Sequence, residues 1–161
     1  MTLEELGNSL PNGFHDCGLK RITVDYERRA IELDVSLWVA DPGGPREQRD
    51  DYREATVNIS GLVFCVMPQP DSRYDFTLAE ELWIGDGYDT RSTPDVLREI
   101  DTELVKEIPS DAFLYSFFVH DWNAFIHIGA HGADLAWKNP ALVKHRGRRR
   151  HFFLGDTINS D

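Results

Sequence analysis

Residues 30–39, AIELDVSLWV, alternate strictly in character: Ile31, Leu33, Val35, Leu37 and Val39 fall on one side, Glu32, Asp34 and Ser36 on the other. Successive side chains of a β-strand point to opposite faces, so a period of two predicts a half-buried strand and excludes an amphipathic helix. The preceding segment, LKRITVDY, repeats the pattern with Ile22, Val24 and Tyr26. The intervening ERR is short enough for a tight turn. Together they predict an antiparallel hairpin with one face buried and one in water.

The rest of the chain reads around that hairpin. Residues 2–10 suggest a short helix or an irregular arm, and LPNG marks a turn. ADPGGPREQRDDYRE is a polar loop with room for one helical turn. ATVNISGLVFCVM alternates at Val57 and Ile59 until Gly61 breaks the phase, as a glycine at a bulge or crossing point does. In residues 68–92 the sequence predicts only one short strand, at LWI, with GDGYD as a turn. TPDVLREIDTELVKEI predicts a single helix: Thr93 suits the N-cap and Pro94 the first helical position. Leu97, Ile100, Leu104 and Ile108 form its apolar stripe, and Pro109 ends it. AFLYSFFVHDWNAFIHIGAHGADLAW predicts two further strands about a turn at Asp121–Asn123. The expected fold is therefore α+β: an antiparallel β-sheet of about five or six strands with one main helix packed on one face.

The 161 residues suggest one domain, at 1–143, followed by a basic C-terminal tail at 144–161. The 18 aromatic residues argue against disorder. Two cysteines, Cys17 and Cys65, make no disulfide framework and read as small buried hydrophobes. The first ten residues lack a basic flank and a long apolar core, and no apolar run approaches a membrane span. The expectation is a reduced, cytoplasmic protein without a membrane. Charge is uneven: residues 1–143 carry 12 Lys/Arg against 26 Asp/Glu, a net −14, while 144–161 carry 5 against 2, a net +3. An acidic body repels phosphate backbones, so nucleic acid is not its expected partner. The tail, KHRGRRRH, reads either as a solvated terminus or as a segment contacting nucleic acid or an acidic surface, the body's own included.

Candidate chemistry centres on histidine. His127 and His131 are four apart, but in a strand that separates them by roughly 13 Å, so they make no zincin-type pair. His120 and His127 are the better candidates for a divalent metal. With a two-residue loop at Trp122 and Asn123, they become diagonal neighbours on one face, about 7–8 Å apart. With a three-residue loop and Asn123 left-handed, they face apart. Two His-Asp pairs, His15–Asp16 and His120–Asp121, admit a carboxylate-oriented imidazole. The stronger reading is structural, because Asp and Asn side chains tie turns and strand ends to nearby backbone N–H groups. His15, Asp16, Asp121, Trp122 and Asn123 are the candidate binding residues, Trp122 as an interface anchor if exposed. Neither a phosphate loop nor a serine nucleophile elbow occurs. Cys17 beside His15–Asp16 is a weak candidate thiol–imidazole nucleophile.

The stretch LPNGFHDCGLKRITVDYERRAIELDV, with the later NAFIHI hairpin, resembles small bacterial proteins that begin with an FHD segment. Related sheets are grouped with immunity proteins of polymorphic toxin systems. The resemblance implies an antiparallel α+β domain in a bacterial cytosol and lends no catalytic residue. The expected function is a non-catalytic binding protein without a cofactor, an acidic immunity-type inhibitor of a basic protein partner. The alternatives are a metal-dependent hydrolase or metal-binding domain built on His120, His127, His15 and Asp16, and a self-associating homo-oligomer.

Overall fold

Burying a row of alternating side chains requires a second apolar surface, and here the sheet supplies it by curling onto itself. The computed structural model describes residues 1–45, 48, 50–70, 72, 81–138 and 143–144. Among the described residues, nine strands form one antiparallel sheet: β1 (Cys17–Asp25), β2 (Ala30–Trp38), β3 (Asp51–Ser60), β4 (Phe64–Val66), β5 (Leu82–Asp89), β6 (Phe113–Val119), β7 (Ala124–Ala130), β8 (Gly132–Trp137) and β9 (Val143–Lys144). Eight follow the order β4-β7-β6-β5-β1-β2-β3-β8, and the two-residue β9 pairs with β3 off this path.

The two ends of the path meet. β3 runs into β4 through Gly61, and β7 runs into β8 through His131. Ser60 pairs with Gly132 and Phe64 with Gly129, so the two bent strands lie side by side across the bend. His131 N–H donates to Ser60 O at 3.2 Å, and Val63 N–H donates to Gly129 O at 2.8 Å. Gly61 has φ +64°, the left-handed conformation that glycine adopts without steric cost. The β1–β2 turn holds the same corner: Arg29 O accepts from Leu62 N–H at 2.8 Å, and Arg29 Nε donates to Leu62 O at 2.9 Å.

Inside the curl, Ile31, Leu33, Val35 and Leu37 meet Val57, Ile59, Phe117, Val119, Ile126 and Ile128, all buried. Helix α1 (Leu3–Ser9) adds Leu3 and Leu6 to this core. Its start is fixed by a capping box: Thr2 Oγ1 accepts from Glu5 N–H, and the Glu5 carboxylate accepts from Thr2 N–H. A smaller apolar cluster, Ile100, Ile108, Ala112 and Leu114, lies apart from this core, with Phe64, Leu97 and Leu104 against it. A Cβ on Gly129 would stand 2.7 Å from Phe64 Cδ1, so the glycine makes room for that ring.

This architecture corrects the expected five or six strands with one main helix. The helix expected over 94–108 is two short ones, α2 (Pro94–Leu97) and α3 (Thr102–Glu107). Asp101 divides them, its carboxylate accepting from Glu103 N–H at 2.8 Å to cap α3. Thr93 stands at the N-cap of α2 but donates its hydroxyl to Asp89 O instead. GDGYD, expected as a turn, belongs to β5, because Gly85 and Gly87 leave space for Phe118 and Tyr115. The single strand expected after Asn123 is two, broken at His131. Ser36, expected on the wet face, is fully buried. No helix among the described residues is long and apolar enough to cross a membrane. Apart from residue 144, the basic tail lies outside the described residues.

Candidate functional site

The two His-Asp pairs come together on one residue, Trp83 at the start of β5. Asp16 sits in the turn before β1 with φ +53°. Its Oδ1 accepts from Trp83 Nε1 at 3.1 Å, and its Oδ2 lies 3.3 Å from His15 Nδ1. Asp121, in the β6–β7 loop, accepts from Trp83 N–H at 2.7 Å. His120 N–H donates to Trp83 O at 2.7 Å. The imidazole of His15 is half exposed and its ring lies 6.2 Å from Trp38. Cys17 is buried in the core, its thiol donating weakly to Gly18 O, so it forms no nucleophile with His15. Asn123 has φ +49° and closes the loop, its N–H donating to His120 O at 3.2 Å. Trp122 packs against the core rather than standing out as an anchor, and its buried Nε1 has no partner among the described residues.

His120 and His127 share the outer face of the sheet but do not form a ligand pair. Val119 pairs with Ala124, so the loop has four residues, His120–Asn123, longer than either expected loop. The opposed rings of Phe118 and Phe125 intervene: His120 lies 6.3 Å from Phe118, and His127 stacks on Phe125 at 6.0 Å. His120 is exposed, whereas His127 is buried and tied through Nδ1 to Ser116 Oγ at 2.7 Å. Ser116 Oγ also bonds Thr90 Oγ1 at 2.5 Å, and neither hydroxyl reaches the surface. Burial pushes the His127 pKa down. This chain ties the 3-10 turn at Thr90–Ser92 to β6 and β7, and no reactant can approach its serine. His131 instead faces Asp111 at 3.4 Å. Among the described residues, no three His, Cys, Asp or Glu side chains converge as metal ligands do. His145 and His151 lie outside the described residues.

One concave feature of the described residues is acidic. A cavity of about 320 Å³ opens between α1, the turn at Leu10–Phe14, β5 and the inner face of β6. Glu4, Asp86 and Asp89 line it, and no Lys, Arg or His does among the described residues. Asp89 caps the 3-10 turn, accepting from Arg91 N–H at 3.3 Å and from the Ser92 hydroxyl. Asp86 Oδ1 accepts from Gly87 N–H at 2.8 Å. Tyr115 is 5% exposed, and its hydroxyl has no hydrogen-bond partner among the described residues. The hydroxyl stands over two glycines that also line the cavity. A Cβ at Gly7 would lie 3.5 Å from it, and one at Gly87 would fall 2.8 Å from Tyr115 Cε1. Burial raises the Tyr115 pKa, and the charges of Asp86, Glu4 and Asp89 raise it further, so the phenol stays protonated at neutral pH.

None of these cavity residues was singled out from the sequence. The only local signal was GDGYD, whose glycines and carboxylates alternate along β5. Compared with family models, curated proteins and solved structures, the chain matches none.

Proposed function

We propose that this chain is a non-catalytic binding protein for a basic protein partner, of the acidic inhibitor type that the FHD resemblance suggests. One observation carries the reading: residues 1–143 hold a net charge of −14. A surface of one sign steers a partner of the other and speeds its encounter, and it rejects partners of like charge. Two arrangements favour binding over catalysis. The buried Ser116–His127 pair is sealed from solvent, and the thiol nearest the exposed His15–Asp16 pair in sequence, Cys17, is buried in the core. A cytoplasmic location belongs to the same proposal.

The test is affinity capture from native lysate at rising salt, with the captured proteins identified by mass spectrometry. The expected result is a basic protein that binds directly as the purified pair and is released as salt screens the charges. Recovery of no salt-sensitive basic partner overturns the reading.

A further inference from the structure

We propose that the cavity between α1 and β5 binds one organic cation, an ammonium or guanidinium group at the end of an aliphatic chain. The argument begins with what the cavity collects. Three carboxylates, Glu4, Asp86 and Asp89, surround one space with no cationic side chain among its described lining. Gathering like charges is unfavourable, and a cation placed among them reverses the sign of that term.

The second observation is the hydroxyl of Tyr115. The side chain is 5% exposed, and no hydrogen bond to its hydroxyl occurs among the described residues, so the hydroxyl is left to bond what enters the cavity. Here the hydroxyl is directed into the cavity, over Gly7 and Gly87, where any larger residue at position 87 would displace it. Its oxygen can accept a hydrogen bond from an N–H of the bound cation while the carboxylates neutralise the charge. Among the described residues Glu4 makes no side-chain hydrogen bond and Asp86 keeps one carboxylate oxygen unbonded, so both can accept from a ligand.

The shape selects the cation. The carboxylates do not converge as metal ligands do, which suits a diffuse, multi-donor cation better than a small ion. Leu10 and Phe14 supply apolar wall for the stem of such a group. A volume of about 320 Å³ sits at the small end of ligand pockets, roughly 300–1,000 Å³, enough for one such group and its stem. The inference goes beyond the partner-binding proposal, because the cavity can fail while the acidic surface still holds a basic protein.

The test is isothermal titration calorimetry on the full chain with agmatine, cadaverine and a short capped arginine peptide, using 1,5-pentanediol as the uncharged control. One-to-one binding of at least one cation, and none of the diol, is expected. Tighter agmatine or cadaverine identifies a free cation as the ligand; tighter peptide identifies a side chain presented by a partner. Glu4→Gln lies on an exposed position and leaves folding intact, and it is expected to weaken binding at least tenfold. Tyr115→Phe is expected to weaken binding by a similar factor, yet to leave the ligand-free thermal midpoint unchanged or raised, because the hydroxyl bonds no group among the described residues. No binding of any cation, or binding unaltered in both variants, overturns the proposal.

Discussion

Asp16 and Asp121, each preceded by a histidine and far apart in the sequence, accept hydrogen bonds from the same residue. Asp16 takes the indole N–H of Trp83 and Asp121 takes its backbone N–H. The repeated dipeptide thus fastens the N-terminal turn and the β6–β7 loop to the first residues of β5.

Losing either carboxylate therefore acts on stability. Asp121→Ala strands a backbone N–H and is expected to cost about 1.5–3 kcal/mol. Asp16→Ala loses the indole contact and also places alanine at φ +53°, whereas Asp16→Asn keeps an acceptor and tolerates that conformation. Urea denaturation should rank Asp16→Asn closest to wild type. Equal loss in both Asp16 variants would show that the tie to Trp83 contributes nothing.

The sheet closes through a bend at Gly61, and that position has two constraints. Its φ is +64°, and a Cβ there would lie 3.0 Å from the Cβ of His131. Gly61→Ala is expected to cost at least about 1–2 kcal/mol from the left-handed backbone alone. Gly43→Ala, in an exposed loop without positive φ, is expected to stay within about 0.5 kcal/mol of wild type. A Gly61→Ala protein as stable as Gly43→Ala would place the bend elsewhere.

Much of the hairpin was legible because its signal is local. In β2 the alternation of Ile31, Leu33, Val35 and Leu37 needs no knowledge of the partner, and all four are buried. The Ser36 exception is a tertiary effect: a Cβ at its cross-strand neighbour Gly18 would collide with Glu81, whose side chain covers that part of the outer face. Closure was illegible for the same reason. Gly61 announces a phase change, but nothing local tells that the strand beyond it lies beside β7. The stripe Leu97, Ile100, Leu104, Ile108 fits one helix or two, and the Asp101 cap decides between them. The cavity draws Glu4, Asp86 and Tyr115 from three elements whose adjacency only the sheet order provides.

His127 predicts a pH dependence of definite sign. Burial lowers its pKa from the ordinary 6.5, so the unfolded chain binds a proton that the folded protein does not. Its contribution is fully present above pH 6.5 and is lost as pH falls from there through the lowered folded value. Gln at 127 keeps a hydrogen-bonding group facing Ser116 but cannot be protonated in this range. Urea midpoints measured from pH 7.5 to 5 should fall more steeply in wild type than in His127→Gln. Parallel lines would mean that the imidazole is protonated as readily folded as unfolded.

Asp101 makes the outer helical layer separately breakable. Its carboxylate caps α3, a six-residue helix with no fully buried residue of its own, and such a short helix depends on its cap and its packing. Asp101→Ala is expected to cost about 1 kcal/mol, and that loss falls mainly on α3. The cluster around Ile100, Ile108 and Leu114 lies apart from the main core, so opening α3 does not require opening the sheet. Hydrogen exchange followed by mass spectrometry should therefore show faster exchange across 102–108 in the variant. The strands β2 and β3 should keep their protection, because their side chains belong to the other cluster. Faster exchange in β2 and β3 as well would show that the two clusters unfold as one unit.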